Sequence, residues 1–140
     1  MVGLLRLSTS IIMIFISLVI YVIDFVVLNI VKNDVLILDF FYFFKGRVNK
    51  LQFLFSFIIS IIEEIAFRSW LLKTDEKIWV CVALSSICFG IAHVFFSKYD
   101  IISKTILGII LAIIYVKSGN ILYSVIVHVT YNYFAIKHKN

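Results

Sequence analysis

Two apolar stretches, Ile11–Val31 and Leu51–Leu72, are each long enough to cross a bilayer, which takes about 20 helical residues. Nothing else limits the fold so strongly. Hydrocarbon offers no partner to a backbone N–H or C=O, so a spanning segment must be a helix or part of a closed barrel. The segments here are too few for a barrel. Composition agrees, with 63% hydrophobic residues, 15% charged residues and no proline, against roughly half apolar and a quarter charged in soluble domains. At 140 residues the chain is a single domain, 1–140. Water-soluble enzymes, secreted disulfide scaffolds, nucleic-acid modules and disordered chains are excluded. The net charge of +5 is read as headgroup and topology charge, with the lipid bilayer rather than nucleic acid as partner. Ile11–Val31 exceeds a signal-peptide core and lacks a small-residue cleavage pattern, so it is expected to be retained.

Along the chain, Val35–Phe44 is too short to span and reads as an interfacial piece. Lys45–Lys50 is a basic turn, and Leu51–Leu72 spans again. The polar loop Lys73–Lys77 leads to a third span, Ile78–Ser97. A turn over Lys98–Lys104 precedes a final pair, Thr105–Val116 and Ile121–Ile136, joined across Lys117–Asn120. The expected fold is all-α: a polytopic membrane bundle of about five transmembrane helices plus one short interfacial segment. Cys81 and Cys88 lie seven residues apart on one helix. That is about 10 Å along its axis, too far for a disulfide. Eight Lys/Arg residues (Lys32, Lys45, Arg47, Lys50, Lys98, Lys104, Lys137, Lys139) fall on one side and four (Arg6, Lys73, Lys77, Lys117) on the other. The excess places the C-terminus in the cytoplasm.

Glu63, Glu64, Arg68, His93 and His128 then sit where lipid should be. An ionisable group at the centre of a membrane helix costs about 2.5–3.5 kcal/mol on insertion scales. Glu64 and Arg68, four apart, can pair along the helix, which leaves Glu63 unexplained. The polar residues also follow helical rows: Ser56, Ser60, Glu64 and Arg68; Ser86, Gly90, His93 and Ser97; Ser124, His128 and Asn132. One polar row per helix means that the rows face each other. Small residues at Ser86/Gly90 and Gly108/Ala112 allow close approach. The expected result is a buried cluster of Glu63, Glu64, Arg68, His93, His128 and Asn132, lining a polar cavity open to the cytoplasm. Asp24 and Asn29 read as bundle-facing or interfacial, Tyr131 and Trp70 as ordinary packing or interfacial aromatics, and His138 as solvated.

Glu63-Glu64-Ile65-Ala66-Phe67-Arg68 is an EExxxR motif, Phe89–His93 an FxxxH motif and His128–Asn132 an HxxxN motif. In this order, on successive hydrophobic segments, they resemble the CAAX protease and bacteriocin-processing (CPBP, or Abi) family of intramembrane endopeptidases. The resemblance covers about Leu51 to Asn132, and the motif-bearing core is 51–136. It implies that Glu63 and His93 activate water, that His128 and Asn132 stabilise the oxyanion, and that Glu64 and Arg68 buttress the site or position substrate. The substrate would be a peptide or membrane protein.

No Ser-His-Asp set, catalytic-cysteine context or HExxH motif is visible, whereas peptide hydrolysis needs an activated water and oxyanion donors. Two other readings stay open. One is a non-enzymatic immunity or partner-binding protein on the same scaffold. The other is a zinc-dependent protease with Glu63, His93 and His128 as ligands and one open position. The resemblance favours a mechanism without cofactor or metal. A small proton-coupled transporter is disfavoured by the lack of a repeat.

Overall fold

The computed structural model describes residues 7–33, 47–69, 77–93 and 98–139. They form α1 (Leu7–Asn33), α2 (Lys50–Glu64), α3 (Ile78–Ala92), α4 (Lys98–Ser118) and α5 (Ile121–Lys139). No strand occurs among the described residues. The expected interfacial piece Val35–Phe44 and Trp70 lie outside them, as do the side chains of Asn29 and His138.

Local chemistry sets the ends of these helices. Asn49 caps α2, its side-chain oxygen accepting from the Leu51 and Gln52 amides at 3.0 and 3.4 Å. Gly119, at φ 64°, turns the chain between α4 and α5, a left-handed conformation that glycine adopts without steric cost. Asn120 then caps α5 by accepting from the Leu122 amide at 3.0 Å. Two helices are long and apolar enough to cross a membrane by length and composition, Leu7–Val27 and Asp100–Ser118, and α3 is a shorter apolar helix.

The bundle buries polar side chains beside an apolar core of Tyr21, Phe89, Leu107, Leu111, Val127 and Tyr131, and is apolar outside. Ser17, Ser60, Glu64, Arg68, Ser85, Ser86, Ser124 and His128 are fully buried, while Ile11, Phe15, Phe55, Ile58, Trp79, Leu84 and Ile106 are more than 45% exposed or equal to it. In water so much exposed apolar surface would drive association; against hydrocarbon it is the favourable face. Several buried serines satisfy themselves within their own helix. Ser60 donates to Ser56 O at 2.8 Å, Ser86 to Val82 O at 2.7 Å and Ser124 to Ile121 O at 2.8 Å.

Helix α5 is central, packed against α1, α2 and α4, while α3 packs mainly on α4. The α3–α4 crossing is as close as the small residues predict. A Cβ on Gly90 would lie 2.7 Å from the Ile101 carbonyl oxygen, and one on Gly108 would lie 3.1 Å from Ser86 Cα. The Thr105 hydroxyl also stands in the way at Gly90 and can rotate aside, but the Ile101 carbonyl is backbone and cannot. G90A should therefore destabilise the bundle by about 1–3 kcal/mol, with G108A milder. Thermal unfolding in detergent checks this, and an unchanged midpoint for G90A would refute the close crossing.

The expected turn over Lys98–Lys104 is instead the beginning of α4. Its polar residues have uses within a helix. Asp100 sits in the first turn, where the helix dipole favours an acid, and Ser103 and Lys104 turn inward to partners on α1 and α5. Lys104 thus leaves the loop charge count. The third helix is correspondingly shorter than expected, and His93 stands at its C-cap with φ −96° and ψ 6°.

Candidate active site

The second helix does not stop at Glu64. It continues as a π-helical turn over Ile65–Ser69, which contacts both α3 and α5. Such turns widen the helix by one residue and recur at functional sites. Here the turn follows the acidic pair directly and carries Arg68 back over it. The Arg68 Nε lies 3.4 Å from Glu64 Oε2, and both side chains are fully buried. The other Glu64 oxygen, Oε1, accepts from His128 Nδ1 at 3.0 Å. One buried carboxylate thereby links a cation on its own helix to an imidazole on α5.

The adjacent Glu63 lies on the other edge of the same imidazole. Its Oε2 is 3.6 Å from His128 Nε2, and its Oε1 is 3.8 Å from His93 Nε2. His93 Nδ1 donates to the Phe89 carbonyl one turn earlier, at 2.8 Å. A carbonyl only accepts, so Nδ1 carries the proton and the neutral ring presents a lone pair at Nε2. The Glu63 and His93 side chains keep 21% and 16% exposure, against 2% for His128, so the cluster is approachable from the Glu63–His93 side.

Phe89 holds the imidazoles and the guanidinium in place. Its buried ring has the His93 ring centroid at 4.8 Å, that of His128 edge-on at 5.5 Å and the Arg68 guanidinium carbon at 5.1 Å. The contact to Arg68 has cation–π geometry. Arg68 Nε, Nη1 and Nη2 and Glu64 Oε2 make no hydrogen bond despite complete burial, so their contact is an ion pair only. Glu64, the Phe89 ring and the nearby charge of Glu63 compensate this cation.

Five of the six predicted site residues therefore converge. Asn132 stands apart, donating its Nδ2 to Ser60 Oγ at 2.8 Å. That bond ties α5 to α2 one turn below Glu64, and the amide nitrogen bears a second N–H. The orienting carbonyl of Phe89 could not be read from side-chain identities. A residue four before a histidine on a helix is nevertheless the position whose carbonyl the ring can reach.

A second polar cluster was not foreseen. Asp24 of α1 accepts short hydrogen bonds from Ser103 of α4 and Tyr131 of α5. Lys104 donates to the Tyr131 hydroxyl at 2.9 Å and lies 4.2 Å above its ring. Tyr131 is buried and hydrogen-bonded, not an ordinary packing or interfacial ring. A cavity of about 170 Å³ adjoins this cluster, lined by Ile20, Ile23, Ile106 and Leu107 among others. This cavity lies between α1, α4 and α5, apart from Glu63.

Cys81 and Cys88 are free thiols, as their spacing requires.

Comparison with known proteins bears on the same segment. Residues 48–134 match the family described as Type II CAAX prenyl endopeptidase Rce1-like. The chain is 31% identical over 83 residues to the UPF0177 protein YxdF of Lactococcus lactis subsp. lactis (strain IL1403), covering 59% of this chain and 46% of that protein. The chain thus spans about half the length of the curated relative it matches. No solved structure matches. The family segment takes in α2, its π turn, α3, α4 and the part of α5 that bears His128 and Asn132. With the match covering more than half of its length, the chain belongs to the Rce1-like family of type II CAAX prenyl endopeptidases.

Proposed function

We propose that the protein is a multi-pass membrane endopeptidase that hydrolyses a peptide bond with a water held between Glu63 and His93. The observation that carries this reading is the facing of acceptors. Glu63 Oε1 and His93 Nε2 are 3.8 Å apart, too far for a direct hydrogen bond and a fitting span for a bridging donor. A water placed there gives one hydrogen to the carboxylate and one to the imidazole, and its oxygen lone pairs face outward.

Glu63 takes the proton as the oxygen adds to the substrate carbonyl. The tetrahedral oxyanion needs donors. His128 supplies one when both its nitrogens are protonated, Nδ1–H to Glu64 and Nε2–H to the oxyanion. The second N–H of Asn132 supplies another. Glu63 then gives its proton to the leaving amine as the C–N bond breaks.

The rival arrangement uses Glu63, His93 and His128 as zinc ligands, and the Nδ1 bonds to Phe89 O and Glu64 are the outer partners that such histidines have. Against it, the two imidazoles address different oxygens of Glu63, His128 Nε2 at 3.6 Å from Oε2 and His93 Nε2 at 3.8 Å from Oε1. Purified protein, incubated with peptides ending in a CAAX-type sequence after exhaustive chelation and with its metal content measured, separates the two. Cleavage is expected to persist without metal. Loss of cleavage, restored by stoichiometric zinc, would make the three residues ligands.

The remaining loop Lys/Arg excess supports a cytoplasmic C-terminus. Single cysteines at Lys50 and Lys137 should be shielded from an impermeant thiol reagent applied outside the cell. Labelling of both would reverse the topology.

A further inference from the structure

We infer that α1, which lies outside the segment shared with the family, sets the position of the catalytic turn of α5, with Ser17 and Asp24 as positioning residues. This rests on the protease reading of His128 and Asn132. Ser17, fully buried, donates its hydroxyl to the Val127 carbonyl at 2.9 Å, one residue before His128. Asp24, seven residues further along α1, accepts from the hydroxyl of Tyr131, one residue before Asn132. The two bonds grip α5 at positions 127 and 131, which neighbours on the same face share across one turn. The adjacent side of that turn, about 100° around the helix, carries His128 toward Glu63 and Glu64, and Asn132 toward Ser60.

The grip extends further through α1 and α4. Tyr21 of α1 packs its ring edge-on against Tyr131 at 5.7 Å, and Ser103 and Lys104 of α4 hold Asp24 and Tyr131 from the far side. Rotation or sliding of α5 would break these bonds in a medium offering no substitutes. Its catalytic face is therefore fixed by contacts on the adjacent face. Asp24 is an acid within a span that the chemistry does not use, and this gives it a role.

The test reads the position of His128 directly. In 15N-histidine-labelled protein, Tyr131→Phe and Asp24→Ala should each shift the His128 Nδ1 resonance, which reports its bond to Glu64. Turnover should fall at least about tenfold in each, as displacements of catalytic groups by an ångström do, with KM unchanged. Asp24→Asn, whose amide oxygen still accepts from Tyr131, should restore most of the turnover. The double variant D24A/Y131F should lose less than the product of the two single losses, since the two share one interaction. Asn49→Ala, which weakens a helix cap away from the site, serves as a control that lowers the melting temperature without moving the resonance. Ser17→Ala, which breaks the other bond, is the alternative if Tyr131→Phe fails to fold.

An unmoved His128 resonance in Asp24→Ala and Ser17→Ala would overturn the inference. So would a turnover loss matching that of Asn49→Ala at equal melting temperature. Wild-type protein without Glu63-dependent turnover would end the protease reading, while the resonance shift would still decide whether α1 positions α5.

Discussion

Replacing Arg68 with leucine while Glu64 remains is expected to remove about 3–5 kcal/mol of stability, the usual consequence of stranding one partner of a buried ion pair. Arg68 and Glu64 are both fully buried, with Nε 3.4 Å from Oε2. Without the guanidinium, Glu64 would keep its bond to His128 but lose the cation that balances it. The pair is not stabilising in itself, because Arg68 Nη1 and Nη2 go without hydrogen bonds, and a guanidinium so desolvated is costly. The double variant R68L/E64Q should consequently be more stable than R68L, since glutamine keeps an acceptor for His128 Nδ1 and carries no charge. Chemical or thermal unfolding in detergent measures both. A double variant at least as unstable as the single would show that the two residues do not act as a pair.

Glu63→Gln is expected to have the opposite profile. Turnover should fall by about 10²–10⁴-fold, the usual contribution of a positioned general base, while the melting temperature stays near that of the wild type. Glu63 is the less buried of the two acids, with 21% exposure, and takes no part in the pair with Arg68. Its amide replacement preserves size and an acceptor for a water hydrogen but cannot take the proton. Histidine-to-glutamine replacement at position 93 should lose less, because in the proposed mechanism His93 orients the water rather than receiving its proton. Equal and complete loss in both variants, with zinc recovered from the wild type alone, would favour ligands over an acid–base pair.

The helices were legible in the sequence because lipid compels them, and the motif rows because ionisable residues are otherwise too costly in hydrocarbon. Glu63, Glu64, Arg68, His93 and His128 accordingly come together. What could not be read was the use of polar residues that lie between apolar runs. Lys98–Lys104 looked like a turn because four of its side chains are polar; in the fold, Ser103 and Lys104 find Asp24 and Tyr131, and the helix continues through them. Tyr131 looked ordinary for the converse reason, since its neighbours in sequence belong to the catalytic motif and its partner is 107 residues away. The π turn after Glu64 is likewise invisible to a pattern of side chains, because it is a choice of backbone hydrogen bonds. Asn132 was placed by its motif, yet its present partner Ser60 was marked only as part of a polar row.

The central claim is that Glu63 performs peptide-bond hydrolysis inside the bundle. Its most direct measurement is a comparison of membrane-protein C-termini, by mass spectrometry, in cells carrying the wild type and cells carrying E63Q at equal abundance. At least one new C-terminus is expected with the wild type and lost with E63Q. Identical sets of termini in the two cell populations, with any protective or binding role retained by E63Q, would contradict it and leave a non-enzymatic membrane protein on a protease scaffold.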